Sequence, residues 1–435
     1  MKHLLLIFST LFAFTLSLNA QQQANEPSAV TGRVIQYHDW VFYGNDVPTI
    51  KVMLSNHSLK ARNVAVQLTV TTDDYSKVIA CTSQSKSVES NDSVEADFTL
   101  NVTPGFYRCI VEKDLLPLRD TDPVGNVELV KKFNIGYEPE KIVSLPDAQP
   151  DFKKFWDGTK SLLAKVKPHY TLKLLKDLST ANRNLYLVTM KSFGGEVISG
   201  YYCAPVKPGK YPTVITYMGY GSKPWVPKPD DNPNMVEFVL SVRGQALNQP
   251  TNKFGDWITY GLADKDTYYY RGAFMDLIRA IDFVCSRPEV DQRNIFAEGG
   301  SQGGAFTFAA CALDHRIRAA APWIPFLSDY PDYFKIVHWP ADPVLAKQKE
   351  LGISDEQLYK TLSYFDIKNL AGWIQCPILM GSGLQDGTCP PHINFAAYNQ
   401  VSTPKNYRIH PTYGHDVPLS WWSFRMDFFK KYMVK

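Results

Sequence analysis

The sequence predicts an α/β fold with a mostly parallel sheet, preceded by a smaller all-β domain. Three observations carry that expectation. Between about Val30 and Tyr137, apolar and polar residues alternate in short runs separated by turn signals. Beyond Pro150, apolar runs such as "YPTVITYMG", "EFVLSV", "NIFAEGG" and "CPILMGSG" take turns with helical stretches such as "RGAFMDLIRAIDFVCS". Buried strands alternating with helices imply a sheet covered on both faces. Between the two regions, Pro139, Pro146 and Pro150 punctuate a join that leads into a helix beginning near Asp151. The 435 residues suffice for one large core and a second domain, since single cores stop growing at roughly 250–300 residues.

The first residues, "MKHLLLIFSTLFAFTLSLNAQQQ", place Lys2 before an apolar run from Leu4 to Leu18, with Asn19 and Ala20 following. A spanning helix needs about 20 apolar residues, so residues 1–20 read as a secretory signal peptide cut near Ala20–Gln21. No cysteine follows that cut, which argues against a lipid anchor, and no later run is long and apolar enough to span a bilayer. The mature chain is expected to be secreted or periplasmic. Lys plus Arg total 46 against 43 Asp plus Glu, a formal charge of +3 without blocks of one sign. Neither nucleic acid nor an anionic membrane is favoured as a partner.

Residues 21–140 form the all-β expectation. In "RNVAVQLTVTT", Val64, Val66, Leu68 and Val70 share one face, and "SVEADFTLNV", "GFYRCIVEKD" and "ELVKKFNIGY" continue the theme. Short strands at this spacing indicate a β-sandwich of immunoglobulin-like type. It carries no catalytic pattern, so a packing or spacer role is favoured over glycan binding. The seven cysteines include no C-x-x-C pair and no metal-ligand spacing, and no metal is expected. Export would permit disulfides, and Cys81 with Cys109 is the pair considered; most of the others sit in apolar runs as buried thiols.

Residues 141–435 hold the chemistry. "EGGSQGGAF" contains Gly299, Ser301 and Gly303 between a short buried strand and a helix rich in small residues. G-x-S-x-G alone is a weak signal, but a strand-to-helix turn carrying the serine is a nucleophile elbow, with Oγ presented to substrate. A serine hydroxyl needs an adjacent base, and in this arrangement an acid and then a histidine follow the serine along the chain. "CPILMGSGLQDGTCPP" offers Asp386 at the end of a buried strand. An ordinary turn aspartate is the competing reading there. Of the histidines, His315 and His338 precede the acid, His392 starts a helix and His410 lies within a strand. His415 hangs in "TYGHDVP" after the last strand, where a base must be to reach the elbow. The oxyanion needs two donors fixed beforehand. One is the Gln302 amide; the other is taken to be the Tyr220 amide, in the Gly219–Gly221 turn after "TVITYM", with Tyr220 also lining the substrate site.

Together these segments resemble the acetyl xylan esterase and cephalosporin-C deacetylase family, carbohydrate esterase family seven. The resemblance covers roughly Pro150 to the C-terminus and rests on "GYG" at 219–221, "RGQ" at 243–245, "TYYYRGAFMDLIRAIDF" from 267, "GGSQGG" at 299–304, "TLSYFD" at 361–366, "CPP" at 389–391 with "FAAYN" at 395–399, and the histidine loop. It implies an α/β-hydrolase fold and a triad of Ser301, Asp386 and His415. It also implies an oxyanion hole from Tyr220 and Gln302, supporting roles for Arg243 and Gln245, and no cofactor. The implied substrates are acetyl esters on short xylo-oligosaccharides and related small molecules. Family members often form rings with inward-facing sites, so a homo-oligomer is among the expectations. Three departures bear on substrate and assembly: His415-Asp416 replaces the family's His-Glu, "SKPWVPKPD" follows the oxyanion loop, and the strand-rich leader is extra. A serine peptidase or thioesterase, and a glycan-binding protein with an inert hydrolase-like part, are the alternatives to an acetyl esterase.

Overall fold

A computed structural model describes residues 29–114, 116–117 and 132–435. The signal-peptide expectation falls outside the described residues. In the first region the strands are β1 (Val30–Ile35), β2 (Val41–Phe42), β3 (Thr49–Asn56), β4 (Arg62–Thr72), β5 (Val78–Val88), β6 (Ser93–Thr99), β7 (Gly105–Lys113), β8 (Leu116–Pro117) and β9 (Phe133–Tyr137). They form two sheets, β1-β3-β6 and β2-β9-β7-β4-β5, with β8 added beside β7. Sequence neighbours are thus distributed between two facing layers, as in an immunoglobulin-like sandwich. The alternation in β4 sets the register: Val64, Val66, Leu68 and Val70 are all buried, because a period of two sends one residue set inward.

The considered Cys81–Cys109 disulfide is not formed, and both thiols are free. Cys81 on β5 pairs with Thr69, Cys109 on β7 pairs with Val70, and β4 stands between them. Two strand spacings come to about 10 Å, beyond the ~7 Å Cα limit for a disulfide. Cys109 is buried whereas Cys81 is exposed. Which strands become neighbours is decided by tertiary pairing, which cysteine spacing does not encode.

The second region is built on a nine-stranded sheet. Its strands are β10 (Thr171–Leu174), β11 (Arg183–Lys191), β12 (Val197–Pro205), β13 (Tyr211–Tyr217), β14 (Val236–Ser241), β15 (Val290–Gly300), β16 (Ala319–Trp323), β17 (Ile378–Gly383) and β18 (Lys405–His410). The order is β10-β11-β12-β14-β13-β15-β16-β17-β18, antiparallel as far as β12–β14 and parallel from β14 to β18. Helices α1 (Phe152–Ala164), α2 (Tyr269–Cys285), α3 (Gln302–Leu313), α4 (Tyr330–Ile336), α5 (Ala341–Leu351), α6 (Asp355–Ser363), α7 (Ile367–Ala371), α8 (Pro391–Tyr398) and α9 (Ser420–Tyr432) accompany it. Every residue of β14 and of α3 is buried, which is why, apart from Glu237 and Gln302, both read as apolar or small-residue runs. The strand order reverses at β13, where the chain steps outward to β14 and then returns to β15. Open parallel sheets place ligands outside the strand ends at such a reversal.

The buried apolar residues of the sandwich run without a break into those of the α/β unit, from Val30 to Val401. Among the described residues no helix is long and apolar enough to cross a membrane.

Candidate active site

Ser301 follows β15 directly and caps α3 with φ 58° and ψ −121°. A non-glycine residue at positive φ costs on the order of 1–3 kcal/mol and persists only where its surroundings fix it. Its N–H donates to Trp323 O (3.1 Å), and its carbonyl accepts from the amides of Ala305 and Phe326 (3.1 Å each). The flanking glycines are required by contact. A Cβ on Gly303 would lie 2.0 Å from Tyr217 O, and one on Gly299 would lie 2.4 Å from Gly303 O. The elbow helix therefore starts directly against the end of β13.

The expected acid and base, Asp386 and His415, come from adjacent loops laced together beyond β17 and β18. Gln385 N donates to Tyr413 O (2.9 Å) and Leu384 N to His410 O (3.0 Å). Asp386 is fully buried. Its Oδ1 accepts from the amides of Thr388 (2.7 Å) and Cys389 (2.8 Å), and its Oδ2 lies 2.8 Å from His415 Nδ1. Tyr333 OH donates to Thr388 O (2.6 Å), closing this loop from α4. The His415 side chain is one-third exposed, and it lines, together with Ser301 and the Gly219–Tyr220 turn, a cleft of about 1180 Å³. Among the described residues Ser301 Oγ makes no hydrogen bond to His415. Ser301 Oγ instead lies 4.0 Å from Cys389 Sγ. Such bonds are often long or misaligned without substrate and tighten when it binds.

The proposed oxyanion donors have no hydrogen-bond partner among the described residues. Gln302 N–H belongs to the first turn of α3, where helix amides are unpaired. The Gly219–Gly221 turn passes over the elbow, close enough that a Cβ on Gly219 would lie 4.0 Å from Ser301 Cβ. The Tyr220 hydroxyl donates to Asp256 Oδ1 (2.6 Å) and its ring packs against Trp257 and Trp339. The side chain is thereby committed and its backbone fixed.

Gln245 and Gln302 exchange side-chain amide hydrogen bonds (3.2 and 3.1 Å), and Gln245 Oε1 also accepts from Gly221 N (3.2 Å). One side chain thus ties the turn on one flank of the site to the helix on the other. Tyr269 and Tyr270 complete the lock: Gln245 Nε2 donates to Tyr269 OH (2.9 Å) and Tyr270 OH to Gln302 Oε1 (3.0 Å). Arg243, also buried, bonds Asp276 through Nε (2.9 Å) and Nη2 (2.7 Å). Gly244, with φ +69°, turns the chain between these two anchors.

Sequence reasoning missed Asp276, Tyr269, Tyr270 and Tyr333. A signal existed for Asp276: an acid inside "AFMDLI" needs a buried cation. His410 is a packed histidine beside Trp421 and Tyr413, with burial and then Arg408 pulling it down to about 4. His392 begins α8 as expected, but it also faces Asp73 of the sandwich at 2.9 Å.

A family model described as acetyl xylan esterase (AXE1) matches residues 137–432. The chain belongs to the acetyl xylan esterase family. It is a carboxylic ester hydrolase acting on acetyl esters. This esterase is 25% identical over 397 residues to the acetyl esterase Axe7A of Xylanibacter ruminicola, covering 88% of this chain and 86% of that protein. Among solved structures, the acetyl xylan esterase from Paenibacillus sp. R4 superimposes with a TM-score of 0.64 at 32% identity, over 68% of this chain and 99% of that one. Acetyl xylan esterase 1 from Thermoanaerobacterium sp. JW/SL YS485 gives 0.63 at 28% identity, over 68% and 98%. The likeness to Axe7A leaves only 12% of this esterase uncovered, so it extends well into the sandwich.

Proposed function

We propose that this esterase is exported and removes acetyl groups from sugar hydroxyls through an acyl-enzyme on Ser301. The observation that carries the mechanism is the 2.8 Å pair between His415 Nδ1 and buried Asp386, opening on the cleft that holds Ser301. With Nδ1 held by the carboxylate, Nε2 is the basic nitrogen. It takes the Ser301 proton as Oγ attacks the acetyl carbonyl, and the oxyanion forms toward the Tyr220 and Gln302 amides. Collapse breaks the ester bond, and the sugar alcohol leaves with the proton from His415. Water, deprotonated by the same imidazole, then attacks the acetyl-serine; acetate departs and Oγ recovers its proton. One oxyanion donor is worth about 10²–10³-fold.

A sugar as the alcohol half is supported by the cleft wall. Trp225 and Trp422 line it and are 45% and 39% exposed, offering flat apolar faces to the C–H side of a pyranose. Trp225 lies in "SKPWVPKPD", where this chain departs from the family pattern, so the entrance is read as specific to this esterase. Export rests on residues 1–20, and from the family resemblance we retain a homo-oligomer, which light scattering would measure.

The test is hydrolysis of p-nitrophenyl acetate and acetylated xylo-oligosaccharides by the mature protein, alongside Ser301→Ala. Turnover is expected to favour acetyl over longer acyl groups and to fall by at least ~10⁴-fold in the variant with the fold intact. Retained turnover in the variant would remove the nucleophile assignment. Peptide or thioester cleavage outpacing acetyl transfer would favour the alternative hydrolase.

A further inference from the structure

The sandwich touches the α/β unit at a place with chemical consequences. Gln385, the residue before Asp386, is gripped by Asn134 of β9. Asn134 N donates to Gln385 Oε1 (2.7 Å), Gln385 Nε2 donates to Asn134 O (3.2 Å), and Asn134 Nδ2 donates to Leu384 O (2.9 Å). Gln385 Nε2 also donates to Pro411 O (2.8 Å), in the loop leading to His415. On the other side of Asp386, His392 Nδ1 lies 2.9 Å from Asp73 Oδ2 in the turn between β4 and β5. Farther along α8, Phe395 packs on Phe106 of β7, with ring centroids 5.6 Å apart.

We propose that the sandwich is a positioning element of the active site, with Asn134 and Gln385 acting as a clamp that holds the Asp386 loop at its distance from His415. The contacts bracket the acid on both sides within eight residues, and one clamp residue reaches the acid and histidine loops together. Asp386 is useful only while its carboxylate stays within hydrogen-bond reach of Nδ1. Misplacing a catalytic group by about 1 Å costs on the order of 10²-fold. A spacer domain would need none of these contacts to be centred on the acid loop.

The inference rests on the triad reading given above, and the test separates the two. The full-length mature protein is labelled with a fluorophosphonate probe, which reports serine activation without a choice of sugar substrate. Kinetics on p-nitrophenyl acetate are run beside it. Gln385→Ala is expected to slow labelling and kcat by roughly tenfold with KM within about twofold, the pattern of a lost transition-state effect. The pH profile of kcat/KM is expected to move. Asn134→Ala, which removes only the bond to Leu384 O, is expected to give a loss of about threefold. Should Gln385→Ala not fold, Asn134→Ala carries the same readouts. A labelled wild type with both soluble variants labelled at its rate and an unmoved pH profile overturns the clamp. A wild type that is not labelled overturns the triad reading instead.

Discussion

The proposed nucleophile and the proposed acid are held in contrasting ways. Ser301 is fixed within the α/β unit, by glycines that admit Tyr217 O and by Gln245 bridging Gly221 to Gln302. Asp386 is fixed by its own loop amides and by a separate domain, through Asn134 and Asp73. The first arrangement lies wholly within residues 137–432, which the family model matches; the second also draws on Asn134 and Asp73 outside them. On the clamp proposed above, the sandwich enters the proposed catalytic constellation without contributing any group that touches substrate.

The largest effect on stability is expected at the nucleophile side. Asp276 is fully buried against Arg243, whose side chain is 8% exposed. Removing one partner strands a buried charge at a cost of about 3–5 kcal/mol. Asp276→Ala should lower the urea midpoint accordingly, and pairing it with Arg243→Met should recover part of the loss, because the orphan charge is then gone. A stability loss well under 1 kcal/mol would show that Arg243 does not anchor this flank.

Gln245→Ala sharpens the comparison in rate. It frees the Gly221 amide and the Gln302 side chain together, so the oxyanion turn and the elbow helix lose their common tie. Removing a donor outright costs about 10²–10³-fold, so loosening both should reduce kcat by about 10–100-fold with a small change in KM. A variant with unchanged kcat would mean that the elbow and turn hold their positions without this side chain.

How much of this was legible follows from chain distance. The elbow is written in consecutive residues, 298 to 306, because a strand, a strained serine and a close-packed helix are local demands. Asp386 stood out because it follows the buried run Ile378–Gly383, and His415 because it hangs in a glycine-led loop after the last strand, in the order the proposed triad requires. Arg243 and Gln245 stood in a motif, and their partners Asp276, Tyr269 and Gln302 stood in others, but no local pattern says which motif meets which. The Asn134–Gln385 contact joins residues 251 positions apart, and "FNIGY" reads as an ordinary strand without its neighbour. His392 read as a helix start, as it is, but its contact with Asp73 was hidden because only tertiary packing brings the two together. The Cys81–Cys109 reading failed for the same reason, since β4 intervenes between strands whose pairing no local pattern announces.

The smallest expected effect probes the acid side through pH. His392 lies between Asp73 of the sandwich and Asp329 and Asp332 of the α/β unit, and Asp329 is itself bonded by Ser144 Oγ (2.6 Å) and Lys368 Nζ (2.9 Å). Burial pulls its pKa down, but the hydrogen bonds and charges of Asp329 and Asp73 outweigh burial and raise it from 6.5 to about 10. A pKa raised by folding stabilises fully below the unfolded value and is lost as pH climbs through the folded one. The window is therefore about pH 6.5 to 10. The imidazole is one-fifth exposed, so solvent screening reduces that contribution. Wild-type Tm should decline across that window, and His392→Gln should start lower and decline less. Parallel Tm curves for the two proteins would show that the imidazolium does not join the domains. The acid loop would then depend on the uncharged clamp at Gln385, and its geometry should be insensitive to alkali until the backbone itself yields.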